Sequence, residues 1–125
     1  MDVPVGAAAL ADRIEEFGTI AYLVTVGAGG SPHVVAVEVG DDDGRLVVGA
    51  GRHTSANAAA RPAVTLVWAA LPGTGYCLIV DGAARLVGEG PAPGTLVVEP
   101  TRAVLHRTPA GDPSAPSCIT LLPAP

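Results

Sequence analysis

The chain has 125 residues, a net charge of −5 and a mean hydropathy of +0.44, and 49% of it is apolar although only 3% is aromatic. That is the size of one domain able to bury a core, and a branched-aliphatic core suits pleated strands. There is no lysine and the arginines are scattered, which argues against nucleic-acid binding through phosphates and against an anionic membrane surface.

The predicted elements begin with a helix. Asp2 caps it, Pro4 suits its first turn and Gly18 the position just past its end. Leu10, Ile14 and Phe17 make one apolar stripe, so the helix packs as a lid on a sheet. Three strands follow as an antiparallel meander: Thr19–Val26, Pro32–Val39 and Arg45–Ala50. The turns between them are Gly27–Ser31 and Gly40–Gly44, rich in the residues that turns demand. Gly51–Ser55 leads into a short helix, Ala56–Ala60, stopped by Arg61-Pro62. Ala63–Ala69 is a strand and Leu71–Gly75 a loop. Tyr76–Gly88 is strand-like throughout, with Asp81-Gly82 read as a kink within one long strand in preference to a hairpin. Gly90–Gly94 is a loop, and Thr95–Arg107 a long strand interrupted at Pro100. Thr108–Ser117 is Pro-rich and expected to be loose, with Cys118–Leu122 as a last edge strand.

This pattern implies a mostly-β protein: a six- to seven-stranded antiparallel barrel with an N-terminal helix and one short helix. The barrel domain is expected over residues 1–107 and the Pro-rich tail over 108–125. No βαβ alternation occurs, and GxGxxG, Walker, HExxH and GxSxG patterns are absent. Cys77 and Cys118 form no CxxC pair and are expected to be buried reduced thiols. The first residues carry acids where a signal peptide carries bases, and no apolar run has membrane-spanning length, so a cytoplasmic protein is expected.

The order of motifs resembles the flavin-binding split barrels of the pyridoxamine-5′-phosphate-oxidase-like superfamily. The residues that carry the likeness are Gly30-Ser31-Pro32-His33-Val34-Val35, Asp43-Gly44, the Gly51–Ser55 loop, and Arg61-Pro62-Ala63-Val64-Thr65-Leu66. The later Val-Asp-Gly-Ala-Ala and Pro-Thr-Arg-Ala-Val-Leu-His-Arg segments add to it, and the likeness covers roughly residues 8 to 107. It implies a six-stranded split barrel that forms a homodimer. FMN, or the deazaflavin F420, lies in a groove between the subunits, its phosphate held by the loop after the third strand and the short helix.

Tested on its chemistry, that loop offers Arg52, His53, Thr54, Ser55 and Asn57: a guanidinium, hydroxyls and backbone amides suited to an anion. An ordinary helix cap at Thr54 or Ser55 is the competing reading. Val34, Val35 and Ala36, with Val48, Gly49 and Ala50 on the next strand, are expected to make an apolar wall for the ring. His33 reads as a half-exposed turn histidine, with a ring-edge position as the alternative. His53 faces phosphate or solvent, and His106 reaches a partner's cofactor or pairs at the surface. Trp68 is expected in the core or an interface, and Glu38 in solvent.

Some residues depart from the family's pattern. The cation usual in the short helix is Asn57 here, the loop after the fourth strand is short, and the C-terminal Arg/His motif of true pyridoxamine-phosphate oxidases is absent. That oxidase activity is therefore not expected. No catalytic side chain and no metal site is read from the sequence. Two function classes remain: an FMN- or F420-dependent oxidoreductase, and a cofactor-free split-barrel dimer with a small-ligand or structural role. A haem-binding relative ranks last.

Overall fold

The computed structural model describes residues 7–88 and 94–123. The expected caps Asp2 and Pro4, and the Gly90–Gly94 turn up to its last residue, lie outside them. The first helix, α1, spans Ala7–Phe17. It buries Leu10 and rests Ile14 and Phe17 on the core, and it ends where Gly18 N–H donates to Ile14 O.

Strands β1 (Ile20–Val26), β2 (Pro32–Asp42) and β3 (Arg45–Ala50) form the expected meander. The first turn needs its glycines, because Gly29 and Gly30 both take positive φ. Beyond helix α2 (Arg52–Ala60) come β4 (Ala63–Trp68), β5 (Tyr76–Val87), β6 (Gly94–Arg107) and β7 (Cys118–Leu122). The sheet runs β3-β2-β1-β4-β5-β6 and closes by pairing β3 with β6, with β7 added along the far half of β6. This is a closed six-stranded antiparallel barrel plus one outer strand. The β3–β6 pairing covers edges that an open sheet would expose.

Period-two alternation sends Leu23, Val48, Leu66, Val80, Leu96 and Leu105 inward. Burying each such side chain contributes about 1.5–3 kcal/mol. Trp68 is fully buried, and its Nε1–H donates to Gly18 O at 2.9 Å, tying the barrel wall to the end of α1.

The Asp81-Gly82 kink is a bulge inside one continuous strand. Asp81 faces Arg102 while Gly82 faces Pro100, so Thr101 is the extra residue on β6. A Cβ at Gly82 would lie 2.6 Å from Val98 Cγ1 and 2.7 Å from Glu99 O, so only glycine fits. Pro100, which has no N–H to give a ladder, falls at the same irregularity.

Three expectations change. First, α2 begins at Arg52, inside the segment read as a loop, and its N-cap is Gly51 rather than Thr54 or Ser55. Gly51 is extended and accepts the first helical bond from Ser55 N–H, so the helix starts as soon as β3 ends. Second, the Pro-rich segment is tied down. Thr108 N–H donates to Gly75 O, and the Tyr76 hydroxyl donates to Pro116 O at 2.7 Å. Hydrogen bonds from the Ser114 hydroxyl and amide hold the Asp112 carboxyl below its ordinary pKa. Third, the thiols are free but not fully buried: Cys77 is half-buried and Cys118 exposed. Both flank His106 in the strand register. Among the described residues no helix is long and apolar enough to cross a membrane.

Candidate functional site

The barrel wall parts between β2 and β3. They pair only from Val39↔Val48 to Asp42↔Arg45, so β2 from Pro32 to Glu38 keeps β1 on one side and, among the described residues, has no strand partner on the other. β3 meanwhile pairs onward with β6 as far as Ala50↔Gly94. The split therefore widens toward the start of β2 and the end of β3, and α2 begins at that mouth.

Among the described residues no side chain caps α2, which leaves the amides of its first turn available to solvent or a ligand. A Cβ built at Gly49 or Gly51 meets none of the described residues within 4 Å, so the approach is open on their side. Arg52 and His53 are exposed there. The His53 ring stands edge-on to His33 of β2, with centroids 6.3 Å apart and an interplanar angle of 80°. The two elements that flank the split thus meet through two imidazoles.

The other residues of the predicted phosphate loop face the barrel. Thr54 is 3% and Ser55 7% exposed, and Ser55 Oγ lies 3.5 Å from Ala50 O, a long contact. Asn57 Nδ2 donates to the Oγ1 of buried Thr25 at 3.1 Å. Arg61 Nε–H donates to Val26 O at 2.7 Å. These side chains seat α2 on the barrel, so the donors left for an anion are Arg52, His53, His33 and the backbone.

The predicted apolar wall divides between two faces. Val35 is half-buried and Ala50 buried, packed with the interior. Val34, 56% exposed, and Ala36 point outward. Their outer face continues onto β1, where Tyr22 opposes Ala36 and Ile20 opposes Glu38. Tyr22 is 49% and Ile20 60% exposed. The sequence reading missed these two residues. Their signal lay in Thr19–Val26, where the residues on both sides of the strand are apolar. Trp68 has no free face for stacking. Among the described residues no group of three His, Cys, Asp or Glu is placed to share a metal ion.

A closed barrel with an open split beside an uncapped helix defines the split-barrel class of the pyridoxamine-5′-phosphate-oxidase-like superfamily. The chain belongs to the Pyridoxamine 5'-phosphate oxidase family, whose pattern it matches over residues 8–116. Uncharacterized proteins of Mycobacterium tuberculosis and Mycobacterium bovis are 43% identical to it over 104 residues, which is 74% of this chain and 73% of theirs. A solved heme binding protein from Mycobacterium smegmatis superposes with a TM-score of 0.70 at 14% identity, covering 95% of this chain and 59% of that one. A structure described as an F420 reductase gives 0.61 at 20% identity, covering 74% and 94%. These structural likenesses concern the fold.

Proposed function

We propose that this chain is a homodimeric cofactor protein that holds FMN, or the deazaflavin F420, along the β2–β3 split and works as an oxidoreductase. One observation carries the reading: the open, uncapped start of α2, with Arg52 and His53 exposed beside the split. The donor set there fits a phosphate, because amides at a helix start and a guanidinium both favour an anion. When bound, such a cofactor supplies hydride or electron transfer.

The tasks left to this chain are binding and orientation. Arg52 and the first-turn amides anchor the phosphate end. Val34 and Ala36 offer apolar surface on the outer side of the split, and Gly49 leaves room for close approach. The exposed apolar residues Ile20, Tyr22 and Val34 supply a surface for a second copy. The cytoplasm is the compartment that suits two free thiols.

A second reading, a cofactor-free dimer with a small-ligand or structural role, draws on Asn57. The residue that replaces the family's usual helix cation is spent on Thr25. Spectroscopy separates the two. The purified protein is scanned in the visible range and melted with and without excess FMN or F420. A thermal midpoint that rises with either supports the cofactor reading, because a ligand bound only by the folded state stabilises it. A colourless protein whose midpoint neither moves refutes it.

A further inference from the structure

We infer that His33 and His53 together form a proton-operated clamp for a phosphate monoester, gripping it more tightly as pH falls from about 8 toward about 6. The inference rests on the cofactor reading above and adds to it a second strand's residue and a direction of pH dependence. His33 belongs to β2 and His53 to α2, so the pair spans the mouth of the split, 6.3 Å between centroids. An edge-to-face arrangement at that separation is an ordinary aromatic contact. Protonating both places two like charges side by side, which is unfavourable unless an anion lies between or across them. A phosphate dianion meets that need with two charged donors.

The surroundings leave the pair free to respond. Opposite His33 on β1 is Thr25, which carries no charge. The turn from Gly27 to Ser31 and the approach from Gly49 to Gly51 contain no ionisable side chain. On β2 the nearest acid, Glu38, alternates onto the outer face. On the strands that α2 packs against, Asp81 of β5 is engaged by Thr65 and Arg102, Glu99 of β6 by Arg45, and Arg85 of β5 points outward. Arg61, at the far end of α2, is held by Val26 O. Among the described residues no carboxylate forms an ion pair with either imidazole. The counter-charge for the pair is then the ligand's own.

The sign follows from linkage. Imidazole takes its proton near pH 6.5, and a phosphate monoester loses its second charge near pH 6. Affinity is therefore greatest at about pH 6 to 6.5, where dianion and imidazolium coexist, and falls toward pH 8.

The test is a titration of the purified chain with FMN at about pH 6.3 and about pH 8. Riboflavin, the same ring without phosphate, serves as the control. We expect FMN to bind about tenfold tighter at the lower pH, the scale of a charged hydrogen bond. In His33→Gln and in His53→Gln that ratio should shrink to less than about threefold, while riboflavin shows no comparable gain. Both side chains are at least partly exposed, and equal thermal midpoints establish that the variants fold. A second readout needs no flavin: NMR titration of the imidazoles with inorganic phosphate should raise both pKa values. FMN affinity equal at the two pH values, or a ratio that survives both substitutions, overturns the clamp and leaves the cofactor site standing. Failure to bind FMN or F420 at either pH overturns the cofactor reading, and the clamp with it.

Discussion

Replacing Gly82 by alanine adds one methyl carbon at the bulge that turns the barrel's corner. That carbon would stand 2.6 Å from Val98 Cγ1 and 2.7 Å from Glu99 O, about 1 Å inside ordinary contact. Neither neighbour yields cheaply. Val98 is fully buried, and the Glu99 oxygen is backbone of a strand paired on both sides. Overpacking of this kind costs about 1–3 kcal/mol. Against it, alanine restrains the unfolded chain by about 0.4–1 kcal/mol. With both neighbours fixed, the upper part of the range applies, and the net loss is about 2 kcal/mol. For a domain of this size that lowers the thermal midpoint by about 8 °C. Gly49→Ala is the matched control, because a Cβ there meets nothing within 4 Å. Urea denaturation of the two variants beside the parent measures both effects. If Gly82→Ala lies within about 0.5 kcal/mol of the parent, the bulge is softer than the geometry says and the close-approach argument fails.

Other substitutions probe the site and its support. Arg52→Ala should weaken FMN or F420 by more than about 1 kcal/mol in a binding titration and leave the midpoint of the free protein unchanged, since the side chain is exposed. Asn57→Ala leaves the buried Thr25 hydroxyl without its donor; a loss of about 1–3 kcal/mol in urea denaturation is expected. Tyr22→Glu places a charge in the exposed apolar face of β1 and β2. Sedimentation should report the proposed dimer for the parent and a monomer for the variant, with the circular dichroism of the fold retained.

The places of strands and turns along the chain were legible because local chemistry determines them, whereas the β1–β4 pairing and the β3–β6 closure are tertiary and were not. Period-two alternation placed Glu38 with Ala36 on the solvent side of β2, as observed, and the glycine and aspartate turns marked the strand ends. The Asp81-Gly82 kink was readable because a barrel corner needs a residue without a side chain. The start of α2 was not. Arg52 to Ser55 carry no strong helix signal, and the helix begins there because Gly51, emerging extended from β3, can accept Ser55's amide at once. The roles of Thr54, Ser55 and Asn57 were hidden for a related reason. Hydroxyls and amides suit an anion and a buried backbone oxygen equally well, and only the packing of α2 on β1 decides between them. The nearness of His33 and His53 was illegible because twenty residues separate them and the split that joins them is tertiary. The tail looked loose by composition, yet its contacts with Gly75 and Tyr76 come from a distant loop.

The closure of β3 onto β6 links residues 46–50 to 94–98, and β6 also carries β5 along its length and β7 at its end. The segment that ends β3 and opens α2 is therefore held by a strand more than forty positions later. The end of β3 is paired only when β6 is in place, so its ladder amides should exchange with deuterium only as fast as the barrel opens, while the uncapped first-turn amides of α2 exchange freely. A ligand at the split would slow that exchange in β6 as much as in the strands that touch it, reporting its presence on the opposite side of the ring.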